Sequence, residues 1–325
     1  MTIPARLHFC WIGPSLPWAY GFALLSAAAR SGMTDVVLHH THALEAGPVL
    51  DALDGAGIRR VRIRPAAYLE AAGRPLGIGG ALAALYARIE SPAILSDILR
   101  VAILYHEGGI YLDLDTVTVA SLEPLLADRQ FLGSEFIVWP YAVRRSRSPL
   151  RLARHAALDL ARKTLRVTPG GWRTFRHIER FYFRGLNGAA MGSAPGAPFV
   201  ADCLRAMIAV PQERQAQPCA LGPDLQEAVA AQHHGDLTIH APHVFFPLPP
   251  EISEHWFRPA RQVDLGAVLM PETRVVHWYA SVRTKAHVAR IGPAYVRANR
   301  GRQLYSALVD SVLPDFSSGL PPDPP

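Results

Sequence analysis

The stretch that begins at Pro92 constrains the fold more than any other part of the sequence. It predicts an apolar helix that is followed, after Gly108 and Gly109, by an apolar strand. Pro92 follows Ser91 and can open the helix, and apolar residues then occur on nearly all sides of it. Gly108 and Gly109 are the residue type that ends helices. The strand that begins at Ile110 follows at once. Such a tight helix-to-strand connection between two apolar elements predicts a buried α/β layer.

The remaining pattern of the first hundred residues agrees with this layer. Residues 7–12 read as a strand, residues 18–30 as a helix and residues 35–40 as a second strand, and "IRRVRIRP" alternates as a half-exposed strand does. Alternating strands and helices predict an α/β fold with a mostly parallel central sheet and flanking helices. We expect one domain over residues 1–313, with a basic helical insertion at 141–185. We expect the Pro-rich tail, 314–325, to be disordered.

Two carboxylates lie where this buried strand is expected to end. The strand is expected to continue through "IYLDLD", so Tyr111, Asp113 and Asp115 share one face, near the carboxyl end at which open α/β sheets bind ligands. Like charges so close repel each other, and a buried carboxylate is costly unless it is paired. A divalent cation relieves both costs, and oxygen ligands of this kind suit Mg²⁺ or Mn²⁺.

The preceding helix carries a second charged pair. Asp97 and Arg100 are three residues apart and therefore lie on one helix face. An intrahelical salt bridge is one interpretation of the pair, and it would contribute little if exposed. The other is that Asp97 and Arg100 belong to the same site as the two aspartates.

The string "SDILRVAILYHEGGIYLDLDTV" resembles the signature of the DXD-containing sugar-transferase family. That family includes yeast mannosyltransferases, capsular polysaccharide transferases and the glucosyltransferase domains of clostridial toxins. Its pattern is Ser-Asp-x-x-Arg, an apolar helix and Gly-Gly-x-Tyr-x-Asp-x-Asp, and every position is filled here. Fainter similarity runs over residues 3–283, including "IPARLHFCWIG", "NGAAMGSAPGAPFV" and "VVHWYASVR". The resemblance implies a GT-A type nucleotide-sugar-binding domain and a metal-dependent hexosyltransferase, with UDP-sugars favoured as donors and retention of anomeric configuration.

The resemblance also implies roles for the matching residues. Asp97, Arg100, Asp113 and Asp115 would be catalytic, with Asp97 and Arg100 on the sugar hydroxyls. The ion, Mn²⁺ or Mg²⁺, would be held by Asp115 directly, by Asp113 through water, and by His277. Asp113 would also touch the ribose and the sugar of the donor. Further contacts to the donor would come from Trp11, Tyr111, Asn187, Ser281 and Arg283, with Trp11 stacked on the base.

The closing segment departs from the family pattern. Many members continue Ser-x-Trp, whereas Ser281 is followed by Val282 and Arg283. We expect Arg283 to replace the missing tryptophan, because a guanidinium can meet phosphate oxygens with two hydrogen bonds.

Two other functions fit parts of the same motif. "IYLDLDTV" also matches the first motif of haloacid-dehalogenase phosphatases, with Asp113 as nucleophile and Asp115 as acid/base. Such enzymes need a downstream lysine and a further acidic pair, and only Lys163 and Lys285 follow, with no close acidic pair. A catalytically silent sugar- or nucleotide-binding protein is the second alternative.

Charge and cysteine content bear on partners and location. Residues 141–185 contain twelve Lys and Arg against two carboxylates, a net charge of +10, so the rest of the chain carries −4 of the total of +6. This favours an anionic acceptor or peripheral contact with an anionic membrane. The acceptor could be a glycan, a lipid-linked sugar or a protein, and no nucleic acid is expected. Three widely spaced cysteines fit a reducing cytoplasm, at the inner membrane if peripheral.

Overall fold

The computed structural model describes residues 2–233 and 235–319, and these residues form nine strands. Seven of the strands make a central sheet, and the other two form a separate two-stranded sheet. The strands are β1 Arg6–Trp11, β2 Asp35–His40, β3 Arg59–Arg62, β4 Gly109–Leu112, β5 Thr116–Thr118, β6 Gln130–Ile137, β7 Phe183–Ser193, β8 Thr238–His240 and β9 Val275–His277.

The helices flank this sheet on both sides. They are α1 Trp18–Arg30, α2 Pro48–Gly55, α3 Pro65–Gly73, α4 Gly79–Ala87, α5 Pro92–Glu107, α6 Tyr141–Arg144, α7 Pro149–Val167, α8 Gly171–Ile178, α9 Pro198–Ala209, α10 Gln212–Gln215, α11 Pro223–Ala230, α12 Pro242–Phe245, α13 Lys285–Val288, α14 Pro293–Asn299, α15 Leu304–Val312 and α16 Pro314–Gly319. Short 3₁₀ helices occupy Arg74–Leu76, Glu123–Ala127, Glu179–Phe181 and Pro250–Trp256.

The central sheet is mostly parallel. Its strand order is β3-β2-β1-β4-β7-β6-β8, and β7 alone of these seven runs antiparallel to its neighbours β4 and β6. The chain moves outward from β1 to β3 and then crosses back to β4 on the other side of β1. The strand order therefore reverses between β1 and β4, which is where open α/β sheets bind ligands. The predicted α/β class, with a mostly parallel central sheet and flanking helices, is confirmed.

Alternation along the strands divides the core into two layers. On β1, Leu7 and Phe9 pack with α1 and α15, while Cys10 faces the layer that contains α5 and α9. On β4, Ile110 joins the first layer and Tyr111 joins the second. Because both faces of β1 and β4 are covered, these strands are mostly apolar, as parallel strands usually are, with Arg6 and the buried His8 of β1 as exceptions.

Both positions between α5 and β4 require glycine, because the backbone there has a positive φ and because neighbouring atoms leave no room for a Cβ. Gly108 has φ of +66° and Gly109 has φ of +104°, a region that side chains disfavour. A Cβ on Gly108 would lie 2.5 Å from Pro195 Cδ, and one on Gly109 would lie 2.7 Å from the carbonyl oxygen of Arg6. Larger residues would force α5 away from β4 and would displace the site that both elements support.

The basic segment and the tail each differ in part from expectation. Residues 141–181 are largely helical, as predicted, but residues 183–185 already belong to β7. The tail, expected to be disordered from residue 314, begins instead with α16, and Phe316 in it packs edge-on against Trp18 of α1. Residues 320–325 lie outside the described part of the chain. No helix in that described part is both long and apolar enough to cross a membrane.

Candidate active site

The candidate site lies where the strand order reverses. Trp11 is the last residue of β1, and Asp113 and Asp115 come directly after β4, its neighbour. The sequence suggested that the strand continues through both aspartates. Instead β4 ends at Leu112, and Asp113, Leu114 and Asp115 form a connection before β5. The shared strand face predicted for Tyr111, Asp113 and Asp115 is therefore wrong, although both carboxylates still reach the site.

Arg100 lies between two carboxylates. Its Nη2 is 3.0 Å from Asp113 Oδ1 and 3.2 Å from Asp97 Oδ1, and its side chain is 8% exposed. The pair on α5 is thus more than an intrahelical salt bridge, because it reaches the aspartate that follows β4. A buried guanidinium that is shared in this way fixes the carboxylate of Asp113 in one orientation.

His277 reaches the site through the small second sheet. β9 pairs antiparallel with β5, and the register places His277 opposite Thr116, the residue after Asp115. His277 Nε2 is consequently 2.9 Å from Asp115 Oδ1. The backbone N–H of Ala280 donates to Asp115 Oδ2 at 2.7 Å, so both carboxylate oxygens are held.

These contacts shift the pKa values in opposite directions. Burial raises the pKa of Asp97 to about 6, and the nearby Arg100 offsets only part of that effect. Burial also opposes ionisation of Asp115, but His277 and the N–H of Ala280 hold the pKa of Asp115 below its usual range. The pKa of His277 is raised, because its attraction to Asp115 outweighs the effect of burial. Such opposed shifts within one cluster are typical of functional sites.

The residues present fit a divalent cation. Asp113, Asp115 and His277 each offer one ligand atom, and these three atoms lie within 4.8 Å of one another. His277 Nδ1 is buried without a hydrogen-bond partner among the described residues. Two carboxylates and an imidazole are a donor set that Mn²⁺ accepts, and an ion could replace the proton that His277 and Asp115 share.

A cavity of about 440 Å³ opens above these residues. Its volume lies within the roughly 300–1,000 Å³ typical of small-molecule sites. The Nε1 atom of Trp11 and the Nε atom of Arg100, both in side chains that line the cavity, are buried without partners in the described part of the chain. The lining includes Trp11, Tyr20, Ser96, Arg100, Asp113, Asp115, Ser281 and Lys285.

Four residues predicted to contact the donor do not line this cavity: Asp97, Tyr111, Asn187 and Arg283. Tyr111 is 1% exposed, and its ring lies under Arg100 with its hydroxyl 3.1 Å from Ser96 Oγ. Tyr111 thus points from β4 into the α5 layer and supports Arg100, and its contact with the nucleotide stays a prediction. Arg283 lies nearest to Glu254, at 3.8 Å, and does not line the cavity. Lys285, which the sequence reasoning missed, lines it instead.

Asn187 and Glu135 lie close to each other near His277 but do not line the cavity. Asn187 lies on β7, where its Oδ1 accepts from the N–H of Ala189 at 2.8 Å. Glu135 of β6 accepts a hydrogen bond from the Tyr279 hydroxyl at 2.5 Å, and burial raises the pKa of Glu135. Tyr279 has φ of +59°, so its backbone is held in a conformation that side chains disfavour. No motif in the sequence pointed to Glu135, and Tyr279 lies in the segment "VVHWYASVR" but was given no role.

The chain is similar to known glycosyltransferases. Residues 67–132 match the family described as "Glycosyltransferase sugar-binding region containing DXD motif", and this span contains α5, β4 and both aspartates. The match confirms the predicted resemblance and indicates a glycosyltransferase enzyme. No curated protein matches the chain.

Solved structures also align with the chain. PaToxG glycosyltransferase is 14% identical, with 71% of this chain and 70% of that chain covered and a TM-score of 0.41. The UDP-bound glycosyltransferase domain of the YGT toxin is 11% identical, with 74% and 80% covered and the same TM-score of 0.41. Galactosyltransferase LgtC, in complex with donor and acceptor sugar analogues, is 14% identical, with 97% of both chains covered and a TM-score of 0.41. These TM-scores are below 0.5, and the fold is defined by the strand order of the central sheet.

Proposed function

We propose that residues 1–313 form a GT-A type, metal-dependent hexosyltransferase that uses a nucleoside-diphosphate sugar, with UDP favoured over GDP. The observation that carries the proposal is the convergence of Asp113, Asp115 and His277 beside the Arg100–Asp97 pair, at the point where the strand order reverses. The acceptor is a hydroxyl group of a glycan, a lipid-linked sugar or a protein. Retention of configuration is adopted from the family resemblance.

In this proposal each group has a task. Asp113, Asp115 and His277 would hold Mn²⁺ or Mg²⁺, which when bound supplies Lewis-acid stabilisation of the charge that develops on the leaving diphosphate. Lys285 lines the same cavity and places a second positive charge there. Trp11, half-buried at the end of β1, offers a ring face on which a base can stack.

Asp97 and Arg100 lie on the other side of Asp113 and suit sugar hydroxyls. A carboxylate accepts hydrogen bonds from hydroxyls, and a guanidinium donates them. Gly222 contacts Asp97 so closely that a Cβ there would lie 2.7 Å from Asp97 Oδ2. The loop before α11 thus closes over Asp97 and limits the space that a sugar can occupy.

A hydrolysis screen over UDP- and GDP-sugars with Mn²⁺ tests this function without knowledge of the acceptor. We expect slow, metal-dependent release of UDP or GDP from at least one donor. Asp115→Asn should lower that rate at least about 100-fold, because replacing even a neighbour of a metal ligand typically costs 10- to 100-fold. The anomeric configuration of the first sugar released, read by proton NMR, tests retention.

A matched control comes from a second Asp–His pair outside the site. Asp128 Oδ2 is 2.9 Å from His240 Nε2, the same separation as in the Asp115–His277 pair. Asp128→Asn should leave hydrolysis unchanged. Full activity in Asp115→Asn would reject the proposal. Phosphate release from a sugar phosphate would favour the phosphatase alternative, and metal-dependent UDP binding without any turnover would favour the silent binder.

A further inference from the structure

Helix α7 buries several polar residues and exposes several apolar ones, although Leu158 and Leu165 on its inner side pack partly against the core. Its buried residues include His155, Asp159 and Arg162, whereas Leu150 is 82% exposed, Leu160 67% and Val167 56%. The exposed side chains are spaced alternately three and four residues apart, which places them in one stripe along the outer side of the helix. The stripe consists of Leu150, Ala153, Ala157, Leu160, Thr164 and Val167, all of them exposed.

Partners within the protein account for the buried charges. His155 Nδ1 lies 2.6 Å from the carbonyl oxygen of Val138, directly after β6. Arg162 is 2.6 Å from Glu251 and also pairs with Asp159. The inner side of α7 is therefore satisfied by the 3₁₀ helix Pro250–Trp256 and the end of β6. The fold leaves the apolar stripe uncovered, although charged residues would keep that side soluble at less cost.

Positive charge surrounds the stripe. Arg147, Arg151 and Arg154 are exposed at the start of α7, and Arg154 Nη2 donates to the carbonyl of Phe181 at 3.2 Å. Phe181 is 47% exposed, and Arg180 lies over its ring. In the fully described segment 141–182, the two carboxylates, Asp159 and Glu179, are both buried. We name the stripe, Phe181 and the flanking residues Arg147, Arg151, Arg154 and Arg180 the α7 surface.

We propose that the α7 surface docks the protein onto a bilayer that contains anionic phospholipids. An exposed apolar stripe flanked by arginines matches an interfacial helix, whose apolar side enters the boundary between headgroups and acyl chains while its cations meet lipid phosphates. The stripe spans most of α7, which at about 1.5 Å per residue is roughly 28 Å long. The helix lies on the surface of the membrane and does not span it.

Charge favours a lipid surface over a second copy of this chain. Two α7 surfaces brought together would place arginine against arginine with no exposed carboxylate between them, and like charges across an interface oppose association. Anionic headgroups supply the missing negative charge. The proposal goes beyond the transferase function and does not depend on it, because α7 supplies none of the residues that line the cavity above the aspartates.

Co-sedimentation of the full chain with vesicles tests the proposal. We expect binding to phosphatidylcholine vesicles that contain phosphatidylglycerol, weaker binding to phosphatidylcholine alone, and weaker binding as salt rises. Arg147→Glu with Arg151→Glu should reduce binding at least about 10-fold. The control pair is Arg62→Glu with Arg64→Glu, which makes the same charge change on an exposed part of the opposite sheet edge.

The apolar stripe is tested separately. Leu160→Glu should also reduce binding to the anionic vesicles, whereas Ile239→Glu, at another exposed apolar residue, should not. Circular dichroism confirms that each variant is folded. Equal losses in the α7 variants and their controls would overturn the proposal, because they would reflect total charge alone. Failure of the wild-type chain to bind anionic vesicles would also overturn it, as would a wild-type dimer that Leu160→Glu converts to monomers.

Discussion

Replacement of Asp97 by asparagine should make the protein more stable at neutral pH. The Asp97 side chain is 14% exposed, and burial disfavours its ionised form even with Arg100 at 3.2 Å. Asparagine keeps the shape and removes the charge. Arg100 keeps its ion pair with Asp113 at 3.0 Å in this variant. The wild-type chain therefore carries a destabilising carboxylate, and removing its charge should raise the free energy of unfolding.

The magnitude follows from the shift in pKa. The pKa of Asp97 rises from 3.8 to about 6 on folding. At 1.36 kcal/mol for each unit, a shift of about two units corresponds to about 3 kcal/mol of stability. Because the folded pKa is raised, this stability is present below pH 3.8, where both states are protonated. It is lost as pH rises through about 6, and the loss is complete above that value.

Urea unfolding of the two chains between pH 4 and pH 8, followed by tryptophan fluorescence, measures this effect. The difference in unfolding free energy between Asp97→Asn and wild type should grow by about 2.5 kcal/mol from pH 4 to pH 8, mostly below pH 6.5, because a small part of the change already occurs below pH 4. Asp51→Asn, at an exposed carboxyl on α2, is the control and should show no such growth. A difference that is independent of pH, or a variant less stable at pH 8, would refute the reasoning.

Two further predictions concern the donor. Trp11→Ala should raise the dissociation constant for UDP, measured by calorimetry, about tenfold, because stacking of a base on an aromatic ring contributes roughly 1–3 kcal/mol. An effect of this variant on acceptor affinity alone would argue against stacking. Gly222→Ala would place a Cβ 2.7 Å from Asp97 Oδ2 and should lower donor hydrolysis while Mn²⁺ affinity stays unchanged. The control is Gly55→Ala, which has open space around it, and an equal loss of Mn²⁺ affinity in Gly222→Ala would contradict the separation of sugar and metal subsites.

The Asp97 carboxylate, although it destabilises the fold, should be needed for function. If Asp97 holds sugar hydroxyls, Asp97→Asn loses donor hydrolysis while it gains stability. Such opposite effects are common at sites where a destabilising group is kept for its chemistry.

Local signals in the sequence were sufficient to predict α5 and its junction with β4. Pro92 marks one end of the helix and Gly108 the other, and the structure begins and ends α5 next to these residues. The Asp97–Arg100 pair could be predicted equally well, because residues three positions apart in a helix lie on the same face. These predictions needed only residues within a few positions of one another.

The end of β4 could not be predicted from local sequence signals. "IYLDLDTV" alternates as one long strand would, yet β4 stops at Leu112 and Val117 pairs with Val276 of β9. That partner lies about 160 residues away in the sequence, so no local pattern shows where one ladder ends and the next begins. Lys285 was missed for a similar reason, because Arg283 lies toward Glu254, a residue of a distant 3₁₀ helix.

The central claim is that Asp113, Asp115 and His277 hold a divalent ion against the diphosphate of the donor. A crystal structure of the chain with UDP and Mn²⁺, with anomalous data collected at the manganese edge, tests it most directly. The account predicts one strong anomalous peak between these three side chains, within about 2.0–2.4 Å of the Asp115 carboxylate and of a phosphate oxygen. Manganese bound elsewhere, or UDP bound with no ion beside Asp115, would contradict it.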